Sequence, residues 1–399
     1  MRSRGRRRPL KSLVVLQSGG PTSVLNASLV GIIRAGRKRF ERVLGVRAGF
    51  SGFLAQQAVD LTHLDDGFLD RLARTPSAGL GTSRLRPDDD QLRAIVAHLR
   101  VWNATGVIGI GGNDTAETLL RLEAAAGDVR VIGLPKTIDN DLAVTDHSLG
   151  YPSAARVVAA CARDALVDTV ATAGLYPVKF VEVMGRNAGW LAAAARLWTP
   201  AGLPAPLIAL PERPFPSREE FLQSVQARVA QDGFAVITLP ETMRWRDGSH
   251  VAGDTPEWID AFGHPYHASA GQALLQACGV ELGLRAKLDR PGSITRASID
   301  LAAPVDIEEA ERAGRFAVQA MDGGATGVCV VIRRTASSPY ASEMQLAPLG
   351  LIANVEARMP DQLIDAATGQ PSAAFMDYAL PLVGPSTTDY AFIDWNQRR

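Results

Sequence analysis

Apolar residues along this chain come in short runs that alternate with stretches of helical period. Ser12–Leu16 reads as a buried strand, and Asn26–Phe40 as a helix carrying Leu29, Ile32, Ile33 and Gly36 on one face. Val43–Val46, Thr105–Ile110 and Val131–Leu134 are further strand runs, and Gln91–Leu99 and Ala116–Ala126 are helices between them. The grammar then repeats. Ala154–Ala173 is a long helix, followed by strands at Lys179–Val183, Leu207–Leu210 and Phe234–Leu239 and helices at Trp190–Leu197 and Glu219–Ala230. Beyond a polar stretch at 244–268 come a helix at Ser269–Cys278, a strand at Gly283–Leu288, a helix at Ile307–Met321 and a strand at Thr326–Arg333. Strands alternating with helices predict α/β architecture, with mostly parallel sheets covered on both faces.

Composition narrows the class without changing that picture. The 399 residues suffice for two to three domains of about 150 each. With 46% apolar and 21% charged residues, the chain is expected to be globular, and no run approaches a membrane span. The charge sums to zero but unevenly. Arg2, Arg4, Arg6, Arg7, Arg8 and Lys11 crowd the first eleven residues, leaving 36 basic against 42 acidic residues elsewhere. This reads as a solvated basic tail, and no nucleic-acid partner is expected of a chain whose charge sums to zero. Leu13–Leu16 is too short for the apolar core of a signal peptide. Cys161, Cys278 and Cys329 are scattered and odd in number, which points to reduced thiols in a cytoplasmic protein. His264 and His267 are close together, but two histidines alone are read as a loop and not as a metal site.

Four turns, each after a predicted strand, carry the candidate chemistry. In open α/β sheets ligands bind beyond the carboxyl ends of the strands, so such turns can share one site. Gln17-Ser18-Gly19-Gly20-Pro21-Thr22 precedes a helix, and its glycines let backbone N–H groups approach an anion. Gly111-Gly112-Asn113-Asp114-Thr115 sets a carboxylate beside bare amides, which suits Mg²⁺ with phosphate, and Thr115 is expected to cap the helix. Pro135-Lys136-Thr137-Ile138-Asp139-Asn140-Asp141 packs a phosphate-neutralising lysine next to two carboxylates. Met184-Gly185-Arg186-Asn187-Ala188-Gly189-Trp190 sets an arginine between glycines, which suits phosphate recognition.

Together the strings SGGPTSVLNA, GIGGNDTAET, PKTIDNDL, VEVMGRNAGW and LPET resemble the phosphofructokinase family in order and spacing, from about Leu13 to about Arg333. The resemblance implies a fold of two doubly wound parallel-sheet domains with the active site in the cleft between them. Residues 1–11 would be the tail and 12–150 a phosphoryl-donor domain completed by about 297–345. Residues 151–296 would be a sugar-phosphate domain and 346–399 a C-terminal extension. The implied reaction is transfer of a phosphoryl group to the 1-hydroxyl of fructose 6-phosphate. Asp139 would take the hydroxyl proton, Thr137 would touch the sugar phosphate or the transferring group, and Asp141 would support them. Gly19 would present its amide to the donor, with Gly20, Gly112 and Thr115 alongside, and Arg84 would bridge donor phosphates. Met184, Gly185 and Arg186 would line the sugar site and Glu241 would bind sugar hydroxyls. Lys287 and Arg296 would hold the 6-phosphate, although arginine is usual at the position of Lys287. Asn113 and Asp114 would hold Mg²⁺. Family members are dimers or tetramers, which implies a homodimer or homotetramer, and Lys179 lies near where a neighbouring subunit could lend a contact.

Two substitutions bear on the donor. ATP-using members resemble GGDGS and PGTIDND, whereas this chain has GGNDT and PKTIDND. Asp114 and Lys136 add bulk and charge where ATP needs room for its α-phosphate and nucleoside, so the resemblance points to the pyrophosphate-dependent branch. Asn113 departs from an aspartate thought to hold Mg²⁺, and Pro21 removes an N–H from the first turn. The alternatives are the same chemistry on sedoheptulose 7-phosphate, ATP as donor, or a silent subunit that only binds sugar phosphate.

Overall fold

The computed structural model describes residues 10–259 and 265–392; the arginines of the basic tail and His264 lie outside them. The described residues divide into two compact units, one within Met1–Ala154, Trp258–Tyr266 and Ser293–Arg358, the other within Ala155–Glu257, His267–Gly292 and Met359–Arg399.

The first unit begins with β1 (Leu10–Gln17), α1 (Leu25–Gly36), β2 (Phe40–Val46), α2 (Gly49–Leu54), β3 (Ala58–Asp60), α3 (Asp66–Ala73), α4 (Asp89–Val101), β4 (Ala104–Gly111), α5 (Asn113–Ala125) and β5 (Arg130–Pro135). The boundary between the units falls inside α6 (Tyr151–Thr172). The second unit continues with β6 (Val178–Val183), α7 (Trp190–Ala194), β7 (Leu207–Ile208), α8 (Arg218–Asp232) and β8 (Ala235–Pro240). A short antiparallel pair, β9 (Trp258–Ile259) with β10 (Pro265–Tyr266), groups with the first unit. Then α9 (Ala270–Glu281) and β11 (Ala286–Asp289) belong to the second unit. The chain returns to the first with α10 (Ile294–Ala297), α11 (Pro304–Asp322), β12 (Val328–Ser337) and β13 (Tyr340–Pro348), and α12 (Ala373–Val383) belongs to the second.

In the first unit seven strands run in the order β13-β12-β5-β4-β1-β2-β3. The inner pairs are parallel, and both edge pairs are antiparallel. Alternation along β1 shows why the sheet is covered twice. Leu13 and Val15 enter one core with Ile32, Ile33, Ala313 and Ala317, while Val14 and Leu16 enter another with Phe50, Phe53, Ile95 and Leu119. Eleven of the twelve residues of α1 are buried, and Val24 gives it no side-chain cap, so packing and not capping holds it. Where α1 crosses α11 the backbones touch. A methyl on Gly31 would lie 2.1 Å from the Glu311 carbonyl oxygen, and one on Gly314 would lie 2.2 Å from that of Ser28.

The second unit has a four-stranded parallel sheet, β11-β6-β8-β7, over a core of Phe180, Phe221, Ile237 and Leu274. The Ser217 hydroxyl accepts from the Glu220 amide to start α8, and Gly233, at φ +81°, ends it.

Several expectations shift in detail. The helix expected to reach Phe40 stops at Gly36, because Gly36 is pressed against Val43 and the chain turns directly into β2. The helix after Trp190 ends at Ala194 and the strand after Leu207 at Ile208. The segment expected as a C-terminal extension is shared. β13 lengthens the first sheet and Leu349 is buried in its core, whereas Phe375 and Leu382 are buried in α12. No helix among the described residues is long and apolar enough to cross a membrane.

Candidate active site

Three of the four turns stand at the carboxyl ends of β1, β4 and β5, which are neighbours in the first sheet. The first turn is held by its surroundings. The Gln17 amide bonds Asn26 and receives the Leu80 N–H, and Asn26 receives the Gly79 N–H and donates to the Thr75 carbonyl. These two buried side chains pin the segment that carries Arg84. They also correct one expectation: the Gly19 N–H is not offered to a ligand but donates to the Ser83 carbonyl at 3.0 Å, with the Thr82 hydroxyl bonded to the Gly19 carbonyl at 2.6 Å. The left-handed φ of Gly19, +78°, turns the peptide that way.

At the second turn Gly112 is the N-cap of α5 and caps with no side chain. Thr115 is buried inside the first turn of the helix instead of capping it, and its hydroxyl lies where a methyl on Gly111 would be, 2.1 Å away. Asn113 Oδ1 is buried without a hydrogen-bond partner, and Asp114 is exposed and pairs with Arg86 at 2.7 Å. An orphaned amide oxygen beside a carboxylate fits Mg²⁺, which takes one or two protein oxygens and completes its shell with water and substrate phosphate. Among the described residues no cluster of three or more His, Cys, Asp or Glu forms a fuller metal cage.

The third turn supplies the buried charge. Lys136 is 5% exposed, and its Nζ donates to the Gly20 carbonyl at 2.7 Å and lies 3.2 Å from where a Gly19 methyl would be. Burial lowers its pKa to about 8; Asp139 and Asp141 favour the charged form, while Arg296 and Arg84 oppose it. Burial, together with the charge of Asp139, raises Asp141 to about 7. The Thr137 hydroxyl receives the Asp139 N–H at 3.1 Å. Arg296 stands at the first turn, with Nη1 2.9 Å from where a Gly20 methyl would be.

The fourth turn is in the second unit. β6 and β8 pair with Val183 opposite Pro240, so Met184-Gly185-Arg186 and Glu241 emerge side by side. The Glu241 N–H bonds the Val183 carbonyl, and the Thr242 hydroxyl bonds the Arg186 carbonyl. Lys287 is not brought there. It pairs in register with Lys179 near the amino end of β6, and its ammonium sits 4.5 Å from the Tyr176 ring centre. Lys179 itself is occupied by Asp168 and, at 3.4 Å, Asp289. Arg290 just beyond β11 pairs with buried Glu182 at 2.8 Å, a basic residue the spacing of the motif did not single out. His267 stacks on His250 at 3.6 Å, and all three cysteines are free.

The phosphofructokinase family pattern matches residues 12–321. This chain belongs to the phosphofructokinase family. Two phosphofructokinase relatives carry the name pyrophosphate–fructose 6-phosphate 1-phosphotransferase. The one from Xanthomonas campestris is 35% identical, over 88% of this chain and 87% of its own. The one from Rhodospirillum rubrum is 34% identical, over 94% and 95%. A crystal structure of a pyrophosphate-dependent phosphofructokinase from Marinobacter aquaeolei superimposes with a TM-score of 0.84 at 28% identity, covering 96% of this chain and 94% of that one.

Proposed function

We propose that this chain transfers a phosphoryl group from pyrophosphate to the 1-hydroxyl of fructose 6-phosphate, with Mg²⁺, in the cytoplasm and as a homodimer or homotetramer. The observation that carries the choice of donor is Lys136. Its ammonium is buried and donates to the Gly20 carbonyl; in this reading it takes the place a third phosphate would need and neutralises a donor of two. Asp114 at the second turn adds repulsion against an α-phosphate.

In this reading Asp139 accepts the proton of the 1-hydroxyl as its oxygen bonds to phosphorus. The bridging P–O bond of pyrophosphate breaks, and Lys136 neutralises the departing phosphate. Arg84 and Arg296 balance the transferring oxygens, Thr137 orients Asp139 by accepting its N–H, and Asp141 supports it. Gly20, Gly112 and Thr115 shape the backbone around the donor. Asn113 and Asp114 would hold Mg²⁺, which would supply neutralisation of donor charge. Met184, Gly185, Arg186 and Glu241 take the sugar. One phosphoanhydride is exchanged for one ester, so the reaction runs readily both ways.

The test is an aldolase-coupled assay with fructose 6-phosphate, run in parallel with pyrophosphate and ATP, and repeated with sedoheptulose 7-phosphate. Turnover with pyrophosphate alone is expected. Turnover with ATP overturns the donor reading, and a preference for the seven-carbon acceptor overturns the substrate reading.

A further inference from the structure

Behind the Lys136–Asp141 turn lies a charged cluster that the reaction as drawn does not use. His147 is fully buried, with Nδ1 3.0 Å from an Asp146 carboxylate oxygen and Nε2 2.7 Å from Glu309 Oε2. Glu309, on the second turn of α11, also accepts from the hydroxyls of Ser342 and Tyr340 and lies 3.4 Å from Arg312. Asp146 is held from β12 by Arg334 at 3.0 Å. One turn earlier on α11, buried Asp306 accepts from the Gly150 N–H at 2.9 Å and from the Ser153 N–H and hydroxyl at 3.1 and 2.6 Å.

The segment clamped in this way is the one the catalytic turn leans on. The Thr137 N–H donates to the Leu149 carbonyl at 3.2 Å, and Thr137 bridges Gly150. The Ser148 N–H donates to Asn140 Oδ1 at 2.9 Å, which holds Asn140 at its left-handed φ of +56° between the two aspartates. A buried charge left unpaired is costly, so a doubly paired imidazolium defines one arrangement of its neighbours.

We propose that His147, clasped between Asp146 and Glu309, is a positioning residue that sets the Thr137–Asp141 turn for phosphoryl transfer. This rests on the reaction proposed above. The clasp is charged at neutral pH. Burial alone would lower the imidazole, but the hydrogen bonds and charges of Asp146 and Glu309 outweigh it and raise the pKa to about 9. Arg334 and Arg312 stand behind the two carboxylates, Asp306 adds a further acid, and the Tyr340 ring lies 6.4 Å away.

The experiment compares His147→Phe and His147→Gln with the wild-type full chain. A misplaced turn of about 1 Å is expected to lower kcat about a hundredfold in His147→Phe and about tenfold in His147→Gln, with KM for donor and acceptor within about threefold. Backbone amide exchange is read alongside, because it needs no substrate and separates failure of this proposal from failure of the proposed reaction. The Thr137, Ser148, Gly150 and Ser153 amides should exchange at least about tenfold faster, with the β1 and α1 amides unchanged. If either kcat or those amides stay at wild-type values, the proposal is overturned. Loss of protection throughout the unit would show a merely structural role and overturn it as well. Should His147→Phe not fold, the same two readouts on His147→Gln decide.

Discussion

At the carboxyl end of the seven-stranded sheet, Lys136 is 5% exposed, its ammonium tied to the Gly20 carbonyl, and Asp141 next to it is largely buried. At the carboxyl end of the four-stranded sheet, Arg186 and Asn187 are exposed and Glu241 is half-buried, with the Glu241 N–H on the Val183 carbonyl and the Thr242 hydroxyl on the Arg186 carbonyl. The first end holds its charges at a cost in desolvation and keeps them aligned before any substrate arrives. The second holds a frame from which side chains can reach and readjust. Groups that stabilise charge developing during reaction gain most from being fixed and dry, whereas groups that recognise a bound sugar can afford to move. Substitutions at the first end should therefore act on kcat, and those at the second on KM.

The sharpest break of that contrast is Asp139→Asn. It should lower kcat by about 10²- to 10⁴-fold and leave the KM for fructose 6-phosphate within a few-fold in steady-state assays. A rise in KM with kcat intact would show that the two ends do not divide the work. Next is Lys136→Met, with a loss of about 10²- to 10³-fold in kcat/KM for pyrophosphate. Its pH profile sharpens the point. Lys136 is needed as the cation, and its pKa is lowered to about 8, so wild-type kcat/KM should fall as pH rises through about 8. That limb should vanish in Lys136→Met. For Asp141 the pKa shift is upward instead, yet its effect is lost in the same direction. Its folded pKa of about 7 lies above the ordinary carboxylate value, so the stability its neutral form lends is present in acid and lost as pH rises through about 7. Asp141→Asn should flatten that part of a melting-temperature profile.

Smaller effects follow at the open end. Glu241→Gln should raise the KM for fructose 6-phosphate about tenfold with kcat within about threefold, the scale of one charge-assisted hydrogen bond. The smallest effect expected is Arg86→Ala. Its pair with Asp114 is exposed on both sides and is worth less than about 1 kcal/mol, so the melting temperature should barely move. A large change in pyrophosphate KM would instead place Arg86 among the donor-binding groups.

The parts of this arrangement that could be read in the chain are those written in neighbouring residues. The three glycine- and acid-rich turns after β1, β4 and β5 announce themselves because strand, turn and helix are contiguous. What could not be read depends on partners far apart or on register. Strand register sets Lys287 opposite Lys179 near the amino end of β6 and the α10 turn sets Arg296 against Gly20, and neither placement follows from their spacing in the chain. Gly19 looked free to bind an anion because its true partner, the Ser83 carbonyl, is 64 residues away in the chain. Gln17 begins the first turn and Asn26 lies in its family string, but their role appears only when the loop around Gly79 folds onto them. The hairpin partner β13 was missed because its residues alternate in exposure without a long apolar run.

The crossing of α1 and α11 has a consequence for how such a protein can drift over generations. At Gly31 and Gly314 the nearest obstacle to a methyl is a main-chain carbonyl of the other helix, not a side chain that could be trimmed. Trimming a side chain on the facing helix cannot make room, because every amino acid brings the same backbone; the two helices themselves would have to part. One of these helices follows the Gly19-Gly20 turn and the other carries Asp306 and Glu309. Selection on catalysis and simple steric exclusion thus converge on two residues that perform no chemistry. Across descendants of this chain, these two positions should be as immobile as Asp139.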